Sequence, residues 1–378
     1  MTKVKFGDIV REVKVNVDRT NNPYQHYVAG NHMDTEDLTI HRFGNFSTDD
    51  VGPAFTRIFK PGHILYGSRR TYLKKVAVAD FEGICANTTF VLESKDNSIF
   101  DNRLLPFVML SEGFTQWSIS HSKGSTNPYV LFSDLVSYEF DLPPLSEQRI
   151  LADKLWSAYR LKESYKKLLV ATDEMVKSQF IEMFGELKTT QIGNYIMDSF
   201  PGEWGKEDKN GTGIKVIRTT NFTNSGKLDL SEVVTRSIEE RKVQKKQIQK
   251  YDTILEKSGG TADKPVGRVV LFEENEQYLC NNFTQVLRFK DINPQFAFYA
   301  LFYFYQTNKT AIRSMGSRTT GIQNLNMSKY LEIGIPDADK IGQRQFVSIA
   351  EQADKSKFEL RKSIEAIDQV IKSLINNQ

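Results

Sequence analysis

Apolar side chains recur in two rhythms along this chain, and the longest stretch in either rhythm is helical. From Pro143 to Gly185 the positions Leu151, Leu155, Ala158, Lys162, Tyr165, Leu169, Thr172, Val176, Gln179 and Met183 step alternately by four and three residues. That is a heptad seam, the pattern of a helix laying one narrow stripe against a partner helix. Pro143-Pro144 end the preceding strand, because proline has no N–H for a ladder and disfavours helix just before it. Ser146 then stands where a helix wants an N-cap. No Gly or Pro interrupts the run before Phe184, so the spacing predicts a helix of ~39 residues, roughly 58 Å long.

The same rhythm returns at the end of the chain, through Phe346, Ala350, Ala353, Lys357, Leu360, Ile364, Ile367, Ile371 and Leu374. It again follows a proline, Pro336, and a Gln-Arg pair, Gln343-Arg344. Two helices of like length and pattern predict an intramolecular antiparallel coiled coil. Leu151, Leu155, Tyr165, Leu169 and Val176 are the pairing residues on the first, and Leu360, Ile364, Ile367 and Ile371 on the second. The plainer alternative is that each helix packs only on its own globular neighbour.

Shorter rhythms fill the rest. Residues 1–142 read as a mixed α/β unit with β-rich runs at Gly62–Tyr66, Lys75–Ala79 and Thr88–Leu92, and a helix over Asn102–Ile119. Residues 187–337 read alike, with strands at Thr253–Leu255, Gly267–Phe272 and Gln285–Phe289 and an aromatic helix at Pro294–Gln306. Landmarks recur in order between these halves. Phe6-Gly7-Asp8-Ile9-Val10 matches Ile192-Gly193-Asn194-Tyr195-Ile196, and Pro61-Gly62-His63-Ile64-Leu65 matches Tyr251-Asp252-Thr253-Ile254-Leu255. Ile84-Cys85-Ala86-Asn87 matches Leu279-Cys280-Asn281-Asn282, Gly124-Ser125-Thr126 matches Gly316-Ser317-Arg318-Thr319, and Gln148-Arg149 matches Gln343-Arg344. The offsets are nearly constant (193 − 7 = 186, 280 − 85 = 195, 316 − 124 = 192, 343 − 148 = 195), which marks a tandem duplication of one globular unit followed by one long helix. The expected architecture is therefore α+β: two mixed α/β domains in pseudo-two-fold tandem repeat, joined by two long helices. The expected boundaries are 1–142, 143–186, 187–337 and 338–378. Two like heads on a stiff rod suit a duplex with successive grooves on one side.

Composition adds little. With 378 residues, 39% hydrophobic and 26% charged, the chain has room for two or three ordinary globular domains. No run of ~18 apolar residues suggests a membrane span, and Met1–Val10 carries no apolar signal region. Two cysteines, Cys85 and Cys280, are too few for a disulfide framework. A cytoplasmic protein with buried core thiols is expected. The net charge of +3 allows nucleic-acid binding without arguing for it, so a phosphate-binding surface has to come from local clustering.

Leu142-Pro143-Pro144-Leu145-Ser146-Glu147-Gln148-Arg149-Ile150, the Lys60-Pro61-Gly62-His63-Ile64-Leu65 turn, Gly124-Ser125-Thr126 and the repetition of all three resemble the specificity subunits of type I restriction-modification systems. The second copy is degenerate, with Ile335-Pro336-Asp337-Ala338 in place of the double proline. The resemblance spans essentially the whole chain. It implies that each globular unit is a target recognition domain reading one half of a bipartite site in double-stranded DNA. It implies that the paired helices space these domains and dock methyltransferase (modification) subunits, two of them, which methylate adenine. Restriction endonuclease/translocase subunits complete the complex, and the chain itself does no chemistry and takes no cofactor.

The residues offer no rival chemistry. Asn21-Asn22-Pro23-Tyr24 and Asn127-Pro128-Tyr129 lack the second proline of an adenine methyltransferase loop and read as turns, and no Gly-x-Gly turn follows a strand. Asp80 with Glu93-x-Lys95, and Asp198 with Glu207-x-Lys209, resemble metal-nuclease sets only as any highly charged chain does. Five histidines and two cysteines show no zinc spacing, so no metal is expected. The candidate DNA contacts are polar loops following strands. In the first half these are Ser68, Arg69, Arg70, Thr71, Tyr72, Lys123, Ser125, Thr126 and Asn127. In the second they are Lys257, Ser258, Thr261 and Lys264, within the loop through Gly259-Gly260 and Ala262-Asp263, and Arg313, Arg318, Thr319 and Gln323. Arg suits guanine, Asn and Gln suit adenine, and Ser, Thr and backbone N–H groups suit phosphate. Arg241, Lys242, Lys245 and Lys246 fit a solvated helical face or phosphate steering equally well. A coiled-coil scaffold without DNA readout is the alternative function, and DNA binding separates the two.

Overall fold

The computed structural model describes residues 2–18, 21–261, 264–319 and 322–376, and of Arg318 and Thr319 the backbone alone. It divides into two compact units, Met1–Leu168 with Glu359–Gln378, and Leu169–Phe358. Each unit contains part of both long helices, Leu145–Phe184 and Lys340–Asn376.

In the first unit an antiparallel sheet runs in the order Val10–Glu12, Thr89–Ser94, Ile64–Gly67, Val76–Val78. A second sheet runs Gly44–Asn45, His26–Val28, Gly83–Ala86, Phe55–Phe59, with Val28 and Cys85 in its one parallel pair of strands. A ribbon of Thr2–Lys5 and Glu139–Leu142 ends at Pro143, where the missing N–H stops the ladder. The expected helix over Asn102–Ile119 is instead a 3-10 turn and two helices, Leu105–Leu110 and Glu112–Ser120. Ser111 causes the break: its backbone is extended and its hydroxyl accepts a hydrogen bond from the Phe114 N–H at 3.2 Å, so it caps a new helix.

The second unit repeats this plan. Its first sheet runs Ile196–Pro201, Thr284–Phe289, Thr253–Glu256, Val269–Leu271. Its second runs Lys206–Glu207, Val234–Ser237, Ile214–Ile217, Tyr278–Cys280, with Ile217 and Cys280 in its parallel pair. The closing ribbon is Thr189–Gln191 with Gly334–Pro336. The repeated landmarks have physical reasons. A Cβ at Gly7 would lie 2.6 Å from Val136 Cβ, too close for a side chain without a shift, and one at Gly193 would lie 3.1 Å from the Leu331 carbonyl oxygen, a tight contact. Cys85 and Cys280 are buried and unpaired, and burial pushes their thiols up, to about 12 and about 11.

The signature glutamine fastens each long helix to its own unit. Gln148 accepts from the Asp101 N–H at 2.9 Å and donates to the carbonyls of Ile99 (3.0 Å) and Pro143 (2.9 Å). Gln343 accepts from the Asn293 N–H and donates to the Ala338 carbonyl, both at 2.8 Å. Both glutamines are buried, and each spends its amide on backbone groups of its own unit.

The seam positions face inward. Leu155, Val176 and Ile371 are buried, while Leu151, Tyr165, Leu169, Leu360, Ile364 and Ile367 are half-buried. In the first unit Leu151, Leu155 and Tyr159 share an apolar cluster with Ile367, Ile371, Leu374 and Ile375. In the second, Phe180 and Phe184 pack on Phe346 with ring centroids 5.1 and 5.8 Å apart. Each unit also buries a seam lysine. Lys162 meets Asp368 at 2.6 Å, and Lys357 meets Asp173 at 2.6 Å and Asp354 at 2.8 Å. No helix among the described residues is long and apolar enough to cross a membrane.

Candidate nucleic-acid interface

In the first unit, the strand Ile64–Gly67 leads into Ser68-Arg69-Arg70 and a 3-10 turn, Thr71–Leu73. This segment runs beside residues 123–130. The Ser68 carbonyl accepts from the Val130 N–H at 3.0 Å, and the Arg70 N–H donates to the Pro128 carbonyl at 2.7 Å. Lys123 and Tyr129 exchange both backbone bonds, at 2.7 and 2.9 Å. Sequence-distant loops thus form one edge. Arg69, Arg70, Tyr72, Lys123, Ser125, Thr126 and Asn127 are exposed on it. Ser68 and Thr71 are buried: the Ser68 hydroxyl donates to the Thr88 carbonyl at 2.6 Å, and the Thr71 hydroxyl lies 3.3 Å from that of Ser122. Lys123 is shared with Asp134 at 3.1 Å. Arg70 holds a left-handed backbone, φ 50°, that L side chains rarely adopt, fixed by its bond to Pro128.

The second unit builds the same edge as a small sheet. Ser258–Gly259 pairs with Ile322–Leu325, which pairs with Gly316–Thr319. The Lys257 carbonyl accepts from the Leu325 N–H at 2.8 Å, the Ser258 hydroxyl donates to Asn324 Oδ1 at 2.7 Å, and Gln323 Nε2 donates to the Thr261 carbonyl at 3.3 Å. The Thr261 hydroxyl accepts from the Lys264 N–H at 3.0 Å, and both residues are exposed. Positive φ at Gly259 and Gly260, 111° and 64°, sets the bend that no β-branched residue would hold. Arg313 is exposed on the preceding helix, Lys309–Ser314. Ala262, Asp263, Thr320 and Gly321 lie outside the described residues, as do the side chains of Arg318 and Thr319.

Electrostatics separate the two edges. Among the described residues no carboxylate pairs with Arg69, Arg70 or Lys257. Burial pushes the half-buried Lys257 ammonium below its ordinary range, with nearby Lys246 acting the same way. Behind the second edge Arg268 grips the buried Glu256 at 2.6 and 3.2 Å, so that pair is internal scaffold. On the helix Glu240–Lys246, Lys242 and Lys246 are held by Glu203 at 3.3 and 3.0 Å.

Sequence reasoning missed two features. Tyr129, read as part of a turn, carries the Arg69 guanidinium 5.9 Å from its ring centroid. Asp37, His41 and Glu163 bring possible ligand atoms within 4.8 Å of one another, the one such group among the described residues, and nothing in their spacing announces it. Lys166 already sits among them, 3.0 Å from Asp37 and 2.8 Å from Glu163, and Tyr159 donates to Asp37 at 2.6 Å. An internal ammonium does there what a cation would do. Burial opposes the Asp37 charge, but Tyr159, the Thr39 N–H and Lys166 outweigh it and hold the carboxyl down at about 2.

Comparison with known proteins fits this twinned arrangement. The type I restriction modification DNA specificity domain matches twice, over residues 4–169 and 196–369. The specificity subunit of the type I restriction enzyme EcoDI from Escherichia coli is 26% identical over 163 residues, 43% of this chain and 35% of that protein. The chain thus matches about a third of that curated relative's length. Among solved structures, the S subunit of a type I restriction-modification system from M. genitalium aligns over 99% of this chain and 94% of its own, with 15% identity and a TM-score of 0.59. A chain from a structure addressing complex assembly and conformational transition of the type I R-M system aligns over 99% and 96%, with 17% identity and a TM-score of 0.57. These two likenesses establish a common fold. With the family's domain matched twice across most of its length, the chain belongs to the type I restriction modification DNA specificity domain family.

Proposed function

We propose that this chain is the DNA-recognition subunit of a type I restriction-modification complex, each unit reading one half of an asymmetric bipartite site in double-stranded DNA. The observation that carries the reading is the pair of equivalent edges, one per copy of the family domain, each built from two loops and rich in side chains suited to bases and phosphates. On these edges Arg69, Arg70, Tyr72, Ser125, Thr126, Asn127, Lys257, Thr261, Lys264, Arg313, Arg318 and Gln323 meet DNA. Ser68, Thr71 and Ser258, whose hydroxyls are spent internally, support them.

In this reading the subunit is non-catalytic and acts in the cytoplasm. The long helices pair antiparallel as a coiled coil, space the two edges and dock the modification subunits, with restriction subunits joining the full complex. Charge partners across the seam within each unit support the pairing. A scaffold without DNA readout would have no use for Arg69 and Arg70, exposed on an edge with no carboxylate partner among the described residues. The test is co-expression with its modification subunits and mapping of methylated adenines. A two-part methylated sequence is expected; methylation without sequence preference would refute the proposal.

A further inference from the structure

We infer that the first unit selects a guanine in its half-site through Arg69, with Tyr129 as the residue that positions it; the inference rests on the DNA-reading function proposed above. Four other arginines of this unit are spent on carboxylates: Arg11 on Glu93 (2.7 Å), Arg42 on Asp34, Arg57 on Glu12 (3.2 Å), and Arg103 on Asp101 (2.7 Å) and Asp153 (2.6 Å). Arg69 is exposed on the edge and has no acidic partner among the described residues. Its guanidinium lies over the Tyr129 ring at 5.9 Å, and its backbone is bridged to Tyr129, so stacking and register come from the same residue. A stacked, planar fork loses less freedom on binding than a free side chain. What it is shaped to hold is two acceptors side by side. In the major groove guanine O6 and N7 offer that pair, while adenine puts an amino donor where O6 stands.

The second unit makes the contrast. Its ladder sets Ser258 opposite Asn324, where the first unit sets Arg69 opposite Tyr129. Serine presents no fork, and the Ser258 hydroxyl is spent on Asn324, so the two edges cannot select the same base in the same way at this place. A phosphate contact is the competing role for Arg69. Phosphate would be served as well by a lysine, whereas bidentate guanine recognition would not.

The experiment maps methylated sequences in cells carrying the complete modification complex with wild-type chain, Arg69→Ala, Arg69→Lys or, as a control, Arg42→Ala. Both Arg69 variants should become degenerate at a single guanine position of one half-site, losing on the order of 10-fold or more in discrimination there. The other half-site should stay intact, and Arg42→Ala should reproduce the wild-type sequence. Melting of the purified chains checks that the exposed substitutions leave folding unchanged. An unchanged sequence in Arg69→Ala overturns the inference alone, as does a uniform weakening at all sites that Arg69→Lys restores. A wild-type complex that marks no two-part sequence overturns the function beneath it.

Discussion

Asp368→Asn should destabilise the first unit by about 3 kcal/mol, because it strands a buried ammonium. Lys162 is 9% exposed and Asp368 is its one ionic partner among the described residues, at 2.6 Å. Removing that carboxylate leaves a desolvated charge with no compensation. Lys162→Met should cost less than ~1 kcal/mol, since the Asp368 side chain is 35% exposed and can turn to water while methionine fills the seam. The equivalent pair in the second unit behaves differently. Lys357 touches both Asp173 and Asp354, so Asp173→Asn leaves one counter-ion at 2.8 Å and should also cost under ~1 kcal/mol. Three tryptophans make the assay local: Trp117 and Trp156 lie in the first unit and Trp204 in the second. In a Trp204→Phe background, fluorescence melting follows the first unit alone, and ~3 kcal/mol corresponds to a fall in Tm of about 6–12 °C. Asp368→Asn melting with wild type, or Asp173→Asn costing more than Asp368→Asn, would refute the claim that these carboxylates serve as counter-ions for buried seam lysines.

Acid should weaken the first unit through Asp37. Its carboxyl is held at about 2 when folded, below the ordinary value of 3.8, so its stabilisation of about 2 kcal/mol is complete above pH ~4 and fades as pH falls towards 2; Asp37→Asn should lose that pH dependence in urea titrations. Gln148→Ala should cost about 2–3 kcal/mol, measured by urea unfolding, because it removes a buried amide that bonds the half-buried Asp101 N–H and two carbonyls. Replacing residues 187–337 with another recognition domain should alter one half of the methylated sequence; a change in both halves, or neither, would defeat the modular reading.

Periodicity made the long helices legible, because four-three apolar steps sustained over so many turns fit a helix and no strand. The helix Pro294–Thr307 was equally plain, with its N-cap Asn293 and proline at the first turn. The break at Ser111 was hidden, since apolar spacing carried on across it and the deciding fact was one serine's choice to cap. Lys162 and Lys357 could be placed on the seam but not explained. Their partners are set by register, and register is a property of two helices, not of one pattern. The candidate site was half legible. Loops after strands marked Arg69 and Arg70, yet Tyr129 lies sixty residues on (129 − 69 = 60), and no local signal ties it to Arg69. Burial of Ser68 and Thr71 was likewise invisible, because hydroxyl residues look alike whether they face water or a neighbouring carbonyl.

The duplication itself shows which positions physics constrains. Cys85 and Cys280, Gln148 and Gln343, Lys162 and Lys357, and Asp173 and Asp368 all stand one period apart (280 − 85, 343 − 148, 357 − 162 and 368 − 173 each equal 195). Every one of these answers a demand made within its own unit: a thiol in a packed strand, a clamp on backbone groups, a counter-ion for a buried ammonium. Cutting back the thiol, the glutamine or Asp368 leaves a cavity or an unpaired polar group, a reason for both units to keep them at the cost of variety. The edges face no such demand. Arg69 and Ser258, or Tyr129 and Asn324, occupy matching ladder positions, and the backbone bonds that hold those ladders run through N–H and C=O groups that any residue supplies. A scaffold fastened by side chains, carrying an edge fastened by backbone, can exchange its reading residues without refolding. That is the physical condition under which one duplicated unit can come to read two different half-sites.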